Sequence, residues 1–421
     1  MAFSDQRERQ RNGEPDLGTL RRHAVISCPI GNLFELYDFG VYAFFAAQIG
    51  RATFPSADPI ALLLGSFAIC GVGFFMRPVG AVPIGGYGDR NGRKPALVLT
   101  ITLMAVATGC TGLVPSHASV GVLAPILLVL CRLLQGFSTG GERGGAASFM
   151  VEYAPAGRRG LFGSLQQIST RLGQLLSISV ALVLNAVLDP HALGAWAWRL
   201  PFLLGFVLAP VGHYLGSRVA ESSVFEDRRA ATSVAAPVRL ALTAFARSVF
   251  TAFGVTVIWT VASYVFLNYI PTYAATQLHL VPALALASTS LAALMNIVCL
   301  PPAGLTSDRV GRKPLLLVVT QRSFFALLVA QCIAAFFYAL INGTASAMLC
   351  ELFPTEVRYS ALSIGYNGAV MIFGGFAPFI ATWLIRATGA SIAPSYYVTA
   401  CALVSFVVVL GMRERAHLPL R

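Results

Sequence analysis

Long apolar runs separated by short basic loops dominate the chain. Runs near the length of a membrane crossing fall at about 24–48, 60–86, 95–115, 120–150, 161–187 and 198–217, and resume at about 248–274, 281–305, 324–350, 360–386 and 393–412. An α-helix rises about 1.5 Å per residue, so about 20 apolar residues cross a hydrocarbon layer about 30 Å thick. The pattern predicts an all-α integral membrane protein. A polar stretch from Arg218 through Glu226, Asp227, Arg228 and Arg229 to Arg239 parts the spans into two groups. The predicted organisation is a first unit over 1–217, a linker over 218–247, a second unit over 248–412 and a tail over 413–421.

Composition excludes most alternatives. Hydrophobic residues make up 56 % of the 421 positions and charged ones 11 %, with a mean hydropathy of +0.71; soluble domains carry roughly a quarter charged residues. The formal charge of +12 does not form one basic face, so it does not point to nucleic acid. The cations cluster in alternate loops: Arg21/Arg22, Arg90/Arg93/Lys94, Arg158/Arg159, Arg228/Arg229, Arg309/Arg312/Lys313, Arg358 and Arg413/Arg415 all fall on one side, with Arg51 and Arg199 as exceptions. By the positive-inside rule that side is cytoplasmic, and both termini with it. The polar, Arg-rich N-terminal stretch and the long run after it predict no cleaved signal. The eight cysteines lie in or beside apolar segments without CxxC spacing and read as small hydrophobes. No GxxxxGK[ST], HExxH or GxSxG-bearing soluble domain occurs, so neither an enzyme nor an ATP-driven pump is expected, and no cofactor or metal. An ion gradient is the expected energy source.

The two units repeat each other. Gly85-Gly86-Tyr87-Gly88-Asp89-Arg90-Asn91-Gly92-Arg93-Lys94-Pro95 returns as Gly304-Leu305-Thr306-Ser307-Asp308-Arg309-Val310-Gly311-Arg312-Lys313-Pro314, and Glu152-Tyr153-Ala154-Pro155 with Arg158 returns as Glu351-Leu352-Phe353-Pro354 with Arg358. Such a duplication suits two halves about a central site. The GxxxDRxGRKP loop resembles the signature of the major facilitator superfamily, and Arg132-Leu133-Leu134-Gln135-Gly136 resembles its second motif. Three further stretches resemble the metabolite:proton symporter branch, whose members carry citrate, ketoglutarate, shikimate, dicarboxylates or osmolytes: Gly31-Asn32-Leu33-Phe34-Glu35-Leu36-Tyr37-Asp38-Phe39, Phe75-Met76-Arg77-Pro78-Val79-Gly80 and Glu351-Leu352-Phe353-Pro354-Thr355-Glu356-Val357-Arg358-Tyr359. The resemblance implies a fold of two pseudo-symmetric six-helix halves and alternating access. One departure can be counted. Asp89 precedes Pro155 by 66 positions, whereas Asp308 precedes Pro354 by 46. The shortfall matches about one crossing of 30 Å, which predicts a ninth helix largely missing near 314–323 and about eleven full spans plus a stub.

Charges inside a membrane are costly and mark function or structural pairing. They gather in the first unit: Glu35 and Asp38 in the first span, Arg77 in the second, Arg132, Glu142 and Arg143 in the fourth, Arg171 in the fifth. Glu35 and Asp38 share a helix face at i, i+3. Withdrawn from water, such carboxyls lose the hydration that favours their charged form, which opens proton loading; the structural reading is a pairing with Arg77 or Arg132. Arg132 cannot shed its proton, so it pairs or binds anions, and the resemblance associates this motif arginine with proton transfer. The expected coupling set is Glu35, Asp38, Arg132 and Glu142. Arg77 and Arg171 suit bidentate carboxylate recognition. Trp259, Tyr264, Asn268, Tyr269, Tyr273, Tyr366 and Asn367 offer polar contacts in the second unit, and Tyr366 and Asn367 are the preferred substrate contacts there. The resemblance makes Asp89, Arg93 and Glu152 a cytoplasmic gate, with Asp308, Arg312 and Glu351 as its second copy.

The expectation is therefore a monomeric, multi-pass symporter of the inner (plasma) membrane that takes up a small organic anion, a di- or tricarboxylate or ketoacid, together with protons. An osmolyte symporter for proline or betaine is the alternative within transport. A non-transporting descendant, motivated by the shortened second unit, is the alternative outside it.

Overall fold

The computed structural model is helical throughout its spans, and the described residues are 30–91, 93–152, 154, 158–206, 210, 243–310, 342, 345–354 and 358–412. The first half contains α1 (Ile30–Phe44), α2 (Ala46–Thr53), α3 (Pro59–Asn91), α4 (Arg93–Leu113), α5 (Leu123–Glu152) and α6 (Arg159–Val187), followed by helical residues 200–206. The second half contains α7 (Ala246–Ser263), α8 (Ile270–Gln277), α9 (Pro282–Val310), α10 (Arg358–Ala369), α11 (Ala377–Thr388) and α12 (Ala393–Leu410). A π-helical turn over Tyr264–Tyr269 joins α7 to α8, and another over Val370–Gly374 stands between α10 and α11.

Seven spans among the described residues are long and apolar enough to cross a membrane: Pro59–Ile84, Leu123–Gly140, Arg159–Val187, Ala246–Gln277, Pro282–Pro302, Ala361–Thr388 and Ala393–Leu410. Each coincides with a run read from the sequence. The first expected span differs. Its helix breaks at Phe45 (φ −104°, ψ 15°) and continues as α2 to Thr53, past the expected end at 48. The segment 311–341, where the shortened ninth helix is expected, lies outside the described residues, as do most of the linker and the tail.

Close helix approach in the first half depends on missing side chains. Where α3 crosses α5, a Cβ at Gly136 would overlap the carbonyl of Gly73, one at Gly80 that of Phe137, and one at Gly140 that of Arg77. Backbone thus lies directly on backbone. In a bilayer the solvent does not drive helices together, so small residues that maximise van der Waals contact take that role. The proline pairs inside α3 (Pro78, Pro83) and α9 (Pro301, Pro302) interrupt helical hydrogen bonding at related places in the two halves.

The glycine crossing is open to a direct check. Gly136→Leu should cost about 3 kcal/mol by overpacking, read as a lower melting temperature in detergent. Gly194→Ala, where an added Cβ meets nothing within 4 Å, should leave it unchanged.

Candidate functional site

Two ion pairs occupy the middle of the first half. Glu35 Oε1 lies 2.9 Å from Arg77 Nη2, and Asp38 Oδ2 accepts a 2.7 Å hydrogen bond from Arg132 Nη1. The i, i+3 spacing on α1 presents the acids to two helices at once, Arg77 on α3 and Arg132 on α5. Asp38 Oδ1 accepts from Gln135 Nε2 at 2.9 Å, and the same nitrogen donates to Thr108 Oγ1 on α4 at 3.0 Å. Glu35, Asp38, Arg77, Arg132 and Gln135 are each at most 1 % exposed. Aromatic rings complete the enclosure: the Arg77 guanidinium carbon lies 4.2 Å from the Phe74 ring centre and 5.0 Å from that of Phe39, and Arg132 lies 4.1 Å from Tyr42. Cation–π contact strengthens when water is excluded, as here.

A second polar layer runs between the halves. On α6, Arg171 Nη1 donates to Gln174 Oε1 at 2.5 Å, and Nη2 donates to Ser263 Oγ on α7 at 3.5 Å. Gln174 Nε2 then donates to Asn268 Oδ1 in the first π turn at 3.0 Å. Trp259 Nε1 donates to Asn342 Oδ1 at 2.7 Å, and its ring meets Tyr366 edge to face at 5.4 Å. Asn367, fully buried, donates to the carbonyl of Gly140 at 3.4 Å, which carries α10 onto the α3–α5 crossing. The layer holds donors and acceptors from both halves among aromatic walls, as a pocket for a small polar molecule requires.

Both ends of the bundle are bridged. On the side of the basic loops, the amides of Gly160 and Leu161 donate to the two oxygens of Asp308 at 2.8 and 3.1 Å. A carboxylate there satisfies orphan N–H groups at the start of α6 and faces the positive end of its dipole. Arg159 lies 3.8 Å from Glu351, and Gln167 Nε2 donates to Ser346 Oγ at 2.8 Å. Arg358 folds back to donate from Nε to the carbonyl of Cys350 at 2.9 Å and from Nη2 to that of Phe353 at 3.1 Å. On the opposite side, Arg386 at the end of α11 pairs with Asp58 at 2.9 Å.

The structure thus brings Glu35 to Arg77 and Asp38 to Arg132, and it sets Arg171, Tyr366 and Asn367 at the boundary between halves. Arg77 is fully buried with Glu35 against it. Asp308 and Glu351 each meet α6, a partner the repeat did not indicate. The side chains of Asp89, Arg93, Glu142, Arg143 and Glu152 are outside those described, and Arg312 lies outside the described residues. Gln174, Gln135 beyond its place in a motif, and the Asp58–Arg386 pair escaped sequence reasoning. Buried glutamines inside an apolar run were the available signal for the first two; nothing in the sequence links Asp58 to Arg386.

Comparison with known proteins agrees with this architecture. Residues 24–236 match the family model for sugar (and other) transporters. The citrate-proton symporter of Klebsiella pneumoniae is 33 % identical over 420 residues, covering 96 % of this chain and 94 % of that protein. The glycine betaine/proline/ectoine/pipecolic acid transporter OusA of Dickeya dadantii is 34 % identical over 433 residues, covering 96 % and 86 %. Among solved structures, the major facilitator proton:xylose symporter XylE bound to 6-bromo-6-deoxy-D-glucose superposes with a TM-score of 0.77 at 18 % identity, covering 94 % of this chain and 97 % of that one. From the repeated loop motif, the helical halves and relatives that match it nearly end to end, this chain belongs to the major facilitator superfamily, as a membrane transporter and not an enzyme.

Proposed function

We propose that the chain is a proton-coupled symporter of a small organic acid in the inner membrane, with both termini cytoplasmic and the halves 1–217 and 248–412 rocking about the site between them. The observation that carries this reading is the pair of buried acids on α1, each held by an arginine from another helix. A guanidinium serves as a donor and not as a proton acceptor in proteins, so the acids are the groups that can load a proton. A proton on Asp38 removes the charge that balances Arg132 and leaves a buried cation, and a substrate carboxylate restores the balance. Leaving one partner of a buried pair uncompensated costs about 3–5 kcal/mol, which disfavours the half-loaded states by more than about a hundredfold. Proton and anion therefore travel together. Glu35 with Arg77 can make the same exchange.

In this reading Glu35, Asp38, Arg132 and Glu142 couple the proton. Arg77 and Arg171 receive carboxylate, with Tyr366 and Asn367 on the opposite wall. Two core carboxylates stand against three core arginines, Arg77, Arg132 and Arg171, among the described residues of the first half, an imbalance that favours an anionic substrate. Asp308, Glu351 and Arg159 act as the cytoplasmic gate, together with Asp89, Arg93, Glu152 and Arg312. The similarity to the citrate-proton symporter supports the acid reading. An osmolyte symporter is the second reading, favoured by the similarity to the betaine/proline transporter and by the fact that Arg77 and Arg132 already hold carboxylates of this chain. A zwitterion brings its own countercharge and asks less of the arginines.

Uptake of radiolabelled citrate, ketoglutarate, shikimate, proline and glycine betaine into proteoliposomes separates the readings. An inward proton gradient should concentrate one of the acids, and a protonophore should abolish the gain. Concentration of proline or betaine alone selects the osmolyte reading, and counter-transport indifferent to pH rejects proton coupling. Asp38→Asn, which mimics the protonated acid, should lower proton-driven accumulation by about tenfold or more while preserving exchange between equal pools. At the gate, Asp308→Asn weakens the acceptor for the α6 amides. It should raise the reactivity of a cysteine placed at Ser346 severalfold, corresponding to about 1 kcal/mol.

A further inference from the structure

Phe74 connects the Glu35–Arg77 pair to the two π-helical turns of the other half. Its fully buried ring lies 4.2 Å from the Arg77 guanidinium carbon and 4.8 Å from the ring of Phe39. It also meets Tyr264, the first residue of the π turn Tyr264–Tyr269, edge to face at 5.5 Å and 86°. Gly375 directly follows the other π turn, and a Cβ there would sit 2.5 Å from the Phe74 ring. The second turn also packs on α7 one helical turn before the first, since a Cβ at Gly374 would overlap Thr260 Oγ1.

A guanidinium between rings and a carboxylate is shared between them. When the carboxylate is neutralised, the ring faces become its strongest remaining partners. Phe74 lies in a close-packed interior, where a shifted guanidinium cannot be accommodated without moving the ring against its neighbours. Those neighbours are π turns, which contain one residue more than the α-helix needs, bond less well and recur where helices must adjust. Packed elements of this kind switch between discrete arrangements rather than deforming smoothly.

We propose that Phe74 is a positioning residue that carries the protonation state of the Glu35–Arg77 pair to the π turns of the second half, so that its two rods bend only when the first half is loaded. This rests on the proton-coupled reading above. Among the described residues, the other charged or titratable side chains tied to this cluster are Asp38 and Tyr42 on α1, Cys70 on α3, Arg132 on α5 and Tyr264 itself. Asp38 and Arg132 form their own pair, so Glu35 and Asp38 must be substituted separately in any test. Phe67, two turns away on α3, serves as the comparison: it makes a cross-half contact of the same kind, with Tyr269 at 6.1 Å.

Hydrogen–deuterium exchange of the full chain in nanodiscs, followed by mass spectrometry, reads the π turns without a substrate. In the wild type, uptake over residues 264–269 and 370–374 should change about twofold between mildly acidic and mildly alkaline buffer. Glu35→Gln should remove that dependence, Asp38→Asn should retain part of it, Phe74→Leu should remove it, Phe74→Tyr should restore it, and Phe67→Leu should leave it intact. Phe74→Met fills the space without a ring and replaces the leucine variant if that one does not fold. In proteoliposomes, Phe74→Leu should lose about tenfold in proton-driven accumulation while exchange persists. A Phe74→Leu protein with the wild-type pH response overturns the proposal, and so does a Phe67→Leu protein that loses it equally. Exchange indifferent to pH in a wild type that still accumulates substrate on a proton gradient overturns the proposal alone. A wild type lacking both responses overturns the proton-coupled reading and this inference with it.

Discussion

Four charges in the membrane interior, two carboxylates from one helix and two guanidinium groups from two others, organise the first half of this transporter. Any one of them alone is expensive at that depth, and removing a partner is far worse than never having placed the pair. Glu35–Arg77 and Asp38–Arg132 therefore bind α1, α3 and α5 into one body. Gln135 and Thr108 extend the network to α4. In the proposed mechanism the same bonds that hold the half together are the ones a proton can undo, so stability and coupling would draw on the same groups.

Such pairing demands short distances between helices. Glycine supplies them where α3 crosses α5, at Gly73, Gly80, Gly136 and Gly140. Gly140 leaves its carbonyl for Asn367 of the other half, so the first half's crossing is also part of the surface that meets the second half. The second half is built differently. Its rods contain π turns that meet Phe74 beside the ion pairs, and few buried charges among the described residues. One half thus stores charge while the other has the helical irregularity that permits bending, a division in keeping with two copies of one unit that have taken separate tasks.

Much of this was legible in the sequence because the membrane is a severe solvent. Run length located six of the seven membrane-length spans to within a few residues and overran the end of the seventh, Leu123–Gly140, by ten, and the i, i+3 spacing of Glu35 and Asp38 announced a shared face. Sequence could not choose between Arg77 and Arg132 as partners, because that choice depends on the depth at which α3 and α5 cross α1. The break at Phe45 and the two π turns were also hidden, since each arises from packing among ordinary apolar residues. Asp308 illustrates the limit most clearly. Its motif identified it as a gate residue, yet its partners are the amides of Gly160 and Leu161, and any residue other than proline offers such an amide.

The two ends of the bundle are closed by unequal means, and the inequality bears on the transport cycle. On the basic-loop side, Asp308 bonds two backbone amides at a helix start, and Glu351 lies largely buried beside Arg159, with side-chain exposures of 4 % and 14 %. On the other side the Asp58–Arg386 pair is 40 % and 48 % exposed, where salt screens it and the net gain of such a pair is at most about 1 kcal/mol. Among the described contacts the second closure is the easier one to break, which in the proposed cycle favours opening first toward the side away from the basic loops. In the proposed import reading, this is the side from which both proton and substrate arrive. Loading from there must then supply the free energy that releases Asp308 from α6. In the proposed mechanism the ion pairs of α1 are the groups through which that loading acts.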